Sequence, residues 1–125
     1  MAKHSILLID DSSIILSAAR YALTAAGYDV TTALTFDELA AVKPDAFDLI
    51  LMDVEMPELY GDDIASVLRH QRGVRTPIYL FSSLDEADLA DRVRDAALDG
   101  YISKQHGIEA MVERVKLLLP LGASS

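Results

Sequence analysis

Three apolar runs in this chain of 125 residues, and one weaker run, each end on a group that can do chemistry. Ile6–Ile9 leads into Asp10 and Asp11, and Leu49–Met52 leads into Asp53. Ile78–Phe81 is followed by Ser82 and Ser83, and Tyr101–Ser103 by Lys104. Two unit charges 4 Å apart repel by roughly 4 kcal/mol at an effective dielectric of 20, so three carboxylates gathered in one crevice need something to offset them. A hard divalent cation with oxygen ligands is the natural candidate. Mg²⁺ typically takes one or two carboxylates, several waters and a phosphate oxygen. Lys104 offers an ammonium for a phosphoryl oxygen, and Ser82 or Ser83 offers a hydroxyl. Together these groups describe phosphoryl transfer with one aspartate as acceptor.

Such residues work only if the elements that carry them bring them together. The strand signals are Ile6–Ile9, Tyr28–Ala33, Leu49–Met52, Ile78–Phe81 and Tyr101–Ser103, with helical patterns between them. The first helix is expected from about Ser12 to Ala26, stopped by Gly27, with a polar stripe of Ser13, Ser17, Arg20 and Thr24. The second opens on the capping box Thr35-Phe36-Asp37-Glu38 and ends before Pro44. The third starts near Asp62, where Asp62 and Asp63 suit the positive end of the helix dipole. The fourth, about Leu84 to Leu98, is expected to bury Leu84, Ala87, Ala90, Val93 and Ala97. The fifth carries Ile108, Met111, Val112, Val115, Leu118 and Leu119 on one stripe.

Alternating strands and helices predict (βα)₅, a doubly wound parallel sheet covered on both faces. Strands buried on both faces lose their polar alternation, so the three most apolar runs belong in the centre and the two weaker ones at the edges. The order 2-1-3-4-5 meets this and puts a topological switch between the first and third strands. Ligands of open α/β sheets bind at the carboxyl ends of strands beside such a switch, where Asp10, Asp11 and Asp53 stand.

Composition narrows the alternatives. The hydrophobic content of 51% suits one domain with a proper core. A net charge of −9 repels a phosphate backbone, and no basic amphipathic stretch suits a membrane surface. There is no cysteine, hence no disulfide or thiolate chemistry. No segment reads as a signal peptide or a membrane span, so a cytoplasmic domain is expected.

In these residues and their order the chain resembles the response-regulator receiver domain of two-component signalling, over essentially its whole length. The matching positions are Asp10-Asp11, Asp53, Met56-Pro57, Gly61, Ser82 and Lys104. The resemblance implies a flavodoxin-like fold, with the strand order of the chemotaxis regulators. It implies that Asp53 accepts a phosphoryl group from a histidine kinase or phosphotransfer protein. Asp11, Asp53 and the backbone carbonyl of Glu55 would hold Mg²⁺ directly, with Asp10 acting largely through water. Ser82 and Lys104 would grip the phosphoryl oxygens. Tyr101 falls at the family's switch aromatic, which turns inward as the Ser82 hydroxyl is drawn to the phosphate. Output would be altered contact with a downstream effector protein at the face of the fourth helix, fifth strand and fifth helix; a weak homodimer is compatible with this. The domain would span residues 1–120, leaving 121–125 as a short tail and the protein a stand-alone regulator. It would be no enzyme beyond its own phosphorylation and dephosphorylation.

The chain departs from the family at Gln105, where receivers commonly carry proline with a cis peptide. A cis bond before another residue costs about 3 kcal/mol, which predicts a trans loop and a different placement for Lys104. Serine in place of threonine at Ser82 keeps the hydroxyl. Taken singly, each residue has a plainer role: Asp11 or Ser12 as cap of the first helix, Ser82 or Ser83 as cap of the fourth, Lys104 as a solvated lysine, Tyr101 as a packed edge aromatic. His4, His70 and His106 lack ligand spacing. Only the constellation favours chemistry. A pseudo-receiver not regulated by phosphorylation is the runner-up. An aspartate phosphohydrolase would want an aspartate where Glu55 stands, as well as a cap region. A flavin module would want a glycine- and hydroxyl-rich loop where Asp10 and Asp11 stand.

Overall fold

The computed structural model describes residues 4–35, 38, 41–56 and 61–121. The five strands are β1 (Ser5–Ile9), β2 (Asp29–Ala33), β3 (Leu49–Met52), β4 (Ile78–Ser82) and β5 (Gly100–Ser103), all parallel in the order β2-β1-β3-β4-β5. The described helices are α1 (Ser13–Ala25), α2 (Gly61–His70), α3 (Glu86–Ala96) and α4 (Gly107–Leu118). Short 3-10 turns lie at Pro44–Ala46 and Lys104–His106. The helix expected between Thr35 and Pro44 falls largely outside the described residues. Its opening bonds are present: Glu38 donates its backbone N–H to Thr35 Oγ1 at 3.1 Å, and Glu38 Oε1 accepts from the N–H of Leu34 at 2.7 Å.

The unalternating central runs follow from burial on both faces. Ile6, Leu8, Leu49, Leu51, Phe81 and Ile102 pack against Leu16, Ala19 and Leu23 of α1 and Met111 and Val115 of α4. Leu7, Ile9, Ile50, Met52 and Ile78 point the other way, onto Ile64, Ala65 and Leu68 of α2. Leu80 joins Val54 and Leu89 of α3 in a third cluster. Each fully buried aliphatic side chain here contributes roughly 1.5–3 kcal/mol through removal from water. Among the described residues no helix is long and apolar enough to cross a membrane.

One helix follows expectation and one differs from it in detail. α1 is capped by Ser12, whose side chain accepts from the N–H of Ile15 at 3.3 Å, and is stopped at Gly27 with φ +109°. Its polar stripe is exposed, but so are Ile14 and Tyr21, each at 79%. In α3 the buried pair is Leu89 and Ala96. Leu84 and Val93 are half-buried, while Ala87, Ala90 and Ala97 are exposed. Ala97 ends that helix in the left-handed conformation, φ 57°. Alanines gave the apolar stripe its phase in the sequence, and a methyl group gains too little from burial to fix a helix's rotation. Nor does a serine cap α3: the N-cap position is Asp85, without a side-chain capping bond.

Polar ties hold the helices to the sheet. Arg69 of α2 donates to the carbonyls of Val74 (2.6 Å) and Thr76 (3.2 Å) and pairs with Asp99 at 2.6 Å. Asp62, expected to serve only the helix dipole, also pairs with Arg92 of α3 at 3.1 Å. At the amino ends of the strands His4 Nε2 lies 3.2 Å from the carbonyl of Pro120, and the Tyr28 hydroxyl donates to Leu119 O at 2.6 Å.

Candidate functional site

Parallel register places the carboxylates. Ile9 of β1 pairs with Met52 of β3, so Asp10 and Asp53 leave adjacent strands at the same level. The Asp53 N–H still donates to Ile9 O at 2.8 Å, and that of Asp10 to Ala33 O at 3.1 Å, which fixes both backbones. Carboxylate oxygens of Asp10, Asp11 and Asp53 lie within 4.8 Å of one another. Asp10 and Asp53 are buried, at 1% and 5% exposure, and Asp11 is exposed. Ser12, not Asp11, caps α1, so Asp11 has no capping duty to explain it.

Gly61 positions this end of β3 from the other side. Its N–H donates to Val54 O at 2.7 Å, and a Cβ at this position would fall on the backbone carbonyl of Asp53. Only glycine lets α2 start this close to Asp53. Glu55 lies two residues past Asp53 with its side chain exposed, and Met56 packs against the α2 cluster. Pro57 lies outside the described residues.

The Lys104 ammonium is not shared equally. Lys104 Nζ lies 2.6 Å from Asp10 Oδ2 and 3.4 Å from Asp53 Oδ1, and 5.4 Å from the centre of the Phe81 ring. Asp10 also accepts the N–H of Ser12 at 2.9 Å. Asp10 is thus well partnered, and Asp53 less so. The Asp53 carboxyl is pushed up to about 6, chiefly by burial and then by the charge of Asp10, with Lys104 pulling the other way. A carboxyl so placed gains from a cation that restores its charge. Three hard carboxylate oxygens converging at a strand-end crevice fit Mg²⁺ or a similar oxygen-seeking dication.

Ser82, fully buried, ends β4 beside Ser103 of β5 and accepts the N–H of Leu84 at 3.2 Å, which leaves its own proton for another acceptor. Tyr101 is half-buried at the α3 cluster, and its hydroxyl donates to Glu86 Oε1 at 3.3 Å. The Lys104–Gln105 peptide is trans, as expected, since no cis bond occurs among the described residues. The expected displacement of Lys104 does not follow: it still reaches both aspartates. Ser103 explains how. Its hydroxyl caps the 3-10 turn by accepting the Gln105 N–H at 3.1 Å, a role no sequence spacing had singled out.

The comparisons with known proteins agree with this geometry. The family model of the response regulator receiver domain matches residues 6–116. The chain is 34% identical over 117 residues to the alkaline phosphatase synthesis transcriptional regulatory protein PhoP of Bacillus subtilis, covering 91% of this chain and 48% of PhoP. It is 32% identical over 114 residues to the transcriptional regulatory protein KdpE of Mycobacterium tuberculosis, covering 89% of this chain and 49% of KdpE. It thus spans about half the length of these relatives. The chemotaxis protein CheY4 of Vibrio cholerae superposes with a TM-score of 0.83 at 27% identity, over 94% of this chain and all of CheY4. Fold, strand-end residues and sequence likeness converge: the chain belongs to the response regulator receiver domain family.

Proposed function

We propose that this chain is a phosphoacceptor, with Asp53 as the nucleophile. The observation that carries the proposal is the unequal arrangement around Lys104: a well-paired Asp10 and a buried, under-compensated Asp53 in one crevice. An Asp53 oxygen attacks the phosphorus of a phosphohistidine on a histidine kinase or phosphotransfer protein. The P–N bond breaks, its electron pair goes to that ring nitrogen, and the imidazole leaves neutral because its other nitrogen already carries a proton. Asp11, Asp53 and the Glu55 carbonyl would hold Mg²⁺, with Asp10 acting through water, and the ion would neutralise phosphoryl oxygens. Lys104 and the Ser82 hydroxyl bind those oxygens directly. The chain acts on no other substrate and works in the cytoplasm. Its output is a changed protein-binding face at α3, β5 and α4, where Tyr101 trades its contact with Glu86 for an inward position.

Acetyl phosphate or phosphoramidate with Mg²⁺ tests the assignment. Intact-mass analysis should show one phosphoryl adduct, absent in Asp53→Asn and suppressed by EDTA. An adduct of equal yield in Asp53→Asn would place the acceptor elsewhere.

A further inference from the structure

Gln105 lies outside the carboxylate cluster, yet both its backbone and its side chain are committed to bonds. Its N–H goes to Ser103 Oγ, closing the turn that begins at Lys104. Its side chain crosses to the neighbouring loop, where Nε2 donates to Ser83 O at 3.0 Å. Ser83 directly follows Ser82, whose Oγ accepts from Leu84. One residue therefore ties the segment carrying Lys104 to the segment carrying the Ser82 hydroxyl.

We propose that Gln105 is a positioning residue for phosphoryl transfer: its side-chain amide holds the Lys104 turn and the Ser82 loop in one register, so both groups approach Asp53 as a unit. The proposal rests on the phosphoacceptor function of Asp53. A proline at 105 could not substitute. It has no N–H for Ser103 and no side-chain donor for Ser83, and it disfavours the helical backbone that Lys104 adopts in the turn. The family's common residue at this position would therefore be harmful here. Because Gln105 is exposed, the tie acts on placement more than on folding.

The test follows adduct formation on the full chain with phosphoramidate and Mg²⁺ by intact mass. Gln105→Met keeps the length and loses the donor. It and Gln105→Ala should slow the reaction roughly three- to tenfold, as expected for misplaced reacting groups. Their melting temperature and their Mg²⁺ affinity by isothermal titration should match wild type. Gln105→Lys keeps an N–H donor, and at high ionic strength, where its charge is screened, it should recover the rate. Gln105→Pro should be slower than Gln105→Met. Wild-type rates in the Met and Ala variants would overturn the proposal, as would a loss of rate that tracks lost Mg²⁺ affinity or persists in Gln105→Lys. No adduct on wild type at all is a separate result: it overturns the phosphoacceptor function itself, and the role of Gln105 with it.

Discussion

The three aspartates carry the same charge and do different physical work. Asp53 titrates near 3.8 when unfolded and near 6 in the fold, mainly through burial. Well below pH 3.8 it is protonated in both states. As pH rises toward 6 the unfolded chain releases its proton first, so stability falls across that window. Melts in EDTA should show Asp53→Asn gaining on wild type as pH rises from about 4 to 6. At pH 7 that variant should melt higher, by roughly 4 °C for each 1 kcal/mol relieved. Asp10→Asn should behave oppositely and melt lower, since it removes the buried partner of Lys104. Lys104→Ala should cost roughly 2–3 kcal/mol by leaving Asp10 buried with, among the described residues, the Ser12 N–H alone, less than for a wholly buried pair because the lysine is partly exposed. Millimolar Mg²⁺ should raise the wild-type melting temperature, by about 2.7 kcal/mol of stability at a hundredfold excess over its Kd. If Asp53→Asn melts lower than wild type in EDTA, its carboxylate is a structural group. The sequence shows which residues meet, because each ends a strand. Which aspartate Lys104 prefers is invisible there, since the pair is separated by 94 positions and decided by tenths of an ångström.

Elements whose large side chains all agree are legible, and those phased by small ones are not. β3 is observed as expected, Leu49–Met52, because four bulky apolar residues admit only a doubly buried strand. In α3 the alanine spacing of Ala87, Ala90 and Ala97 suggests one rotation, and the single large side chain Leu89 sets another. Its end is strained in a testable way. Ala97 holds φ 57°, a conformation that costs an L residue about 1–2 kcal/mol, part of which glycine returns as extra freedom when unfolded. Ala97→Gly should therefore stabilise the chain by about 0.5–1 kcal/mol in denaturant titrations, and a lower midpoint would contradict the strain. The same helix borders the proposed output face. Beryllofluoride with Mg²⁺ should concentrate amide shifts in residues 82–106 through a shift between two pre-existing states. Shifts limited to the loops after β1 and β3 would mean that nothing is transmitted.

At the scale of the whole molecule, strand order was legible because polarity sorted the strands: a four-residue run with no polar face must be central, and Asp29–Ala33, with exposed positions along it, must be an edge. Side-chain ties between distant elements were not, Arg69 with Asp99 and Arg92 with Asp62 among them. The contact between His4 and Pro120 has a consequence of its own. Both ends of the described chain meet at the amino pole of the sheet, while the carboxylates sit at the other. A five-residue strand separates the poles by roughly 16 Å at 3.3 Å per residue. A dye attached at His4 or Leu121 therefore starts out beyond hydrogen-bonding reach of Asp53. Unless its linker doubles back over the surface, it can respond to the site only through the body of the sheet and helices, so an end-label that reports phosphorylation is reporting a deformation of the fold.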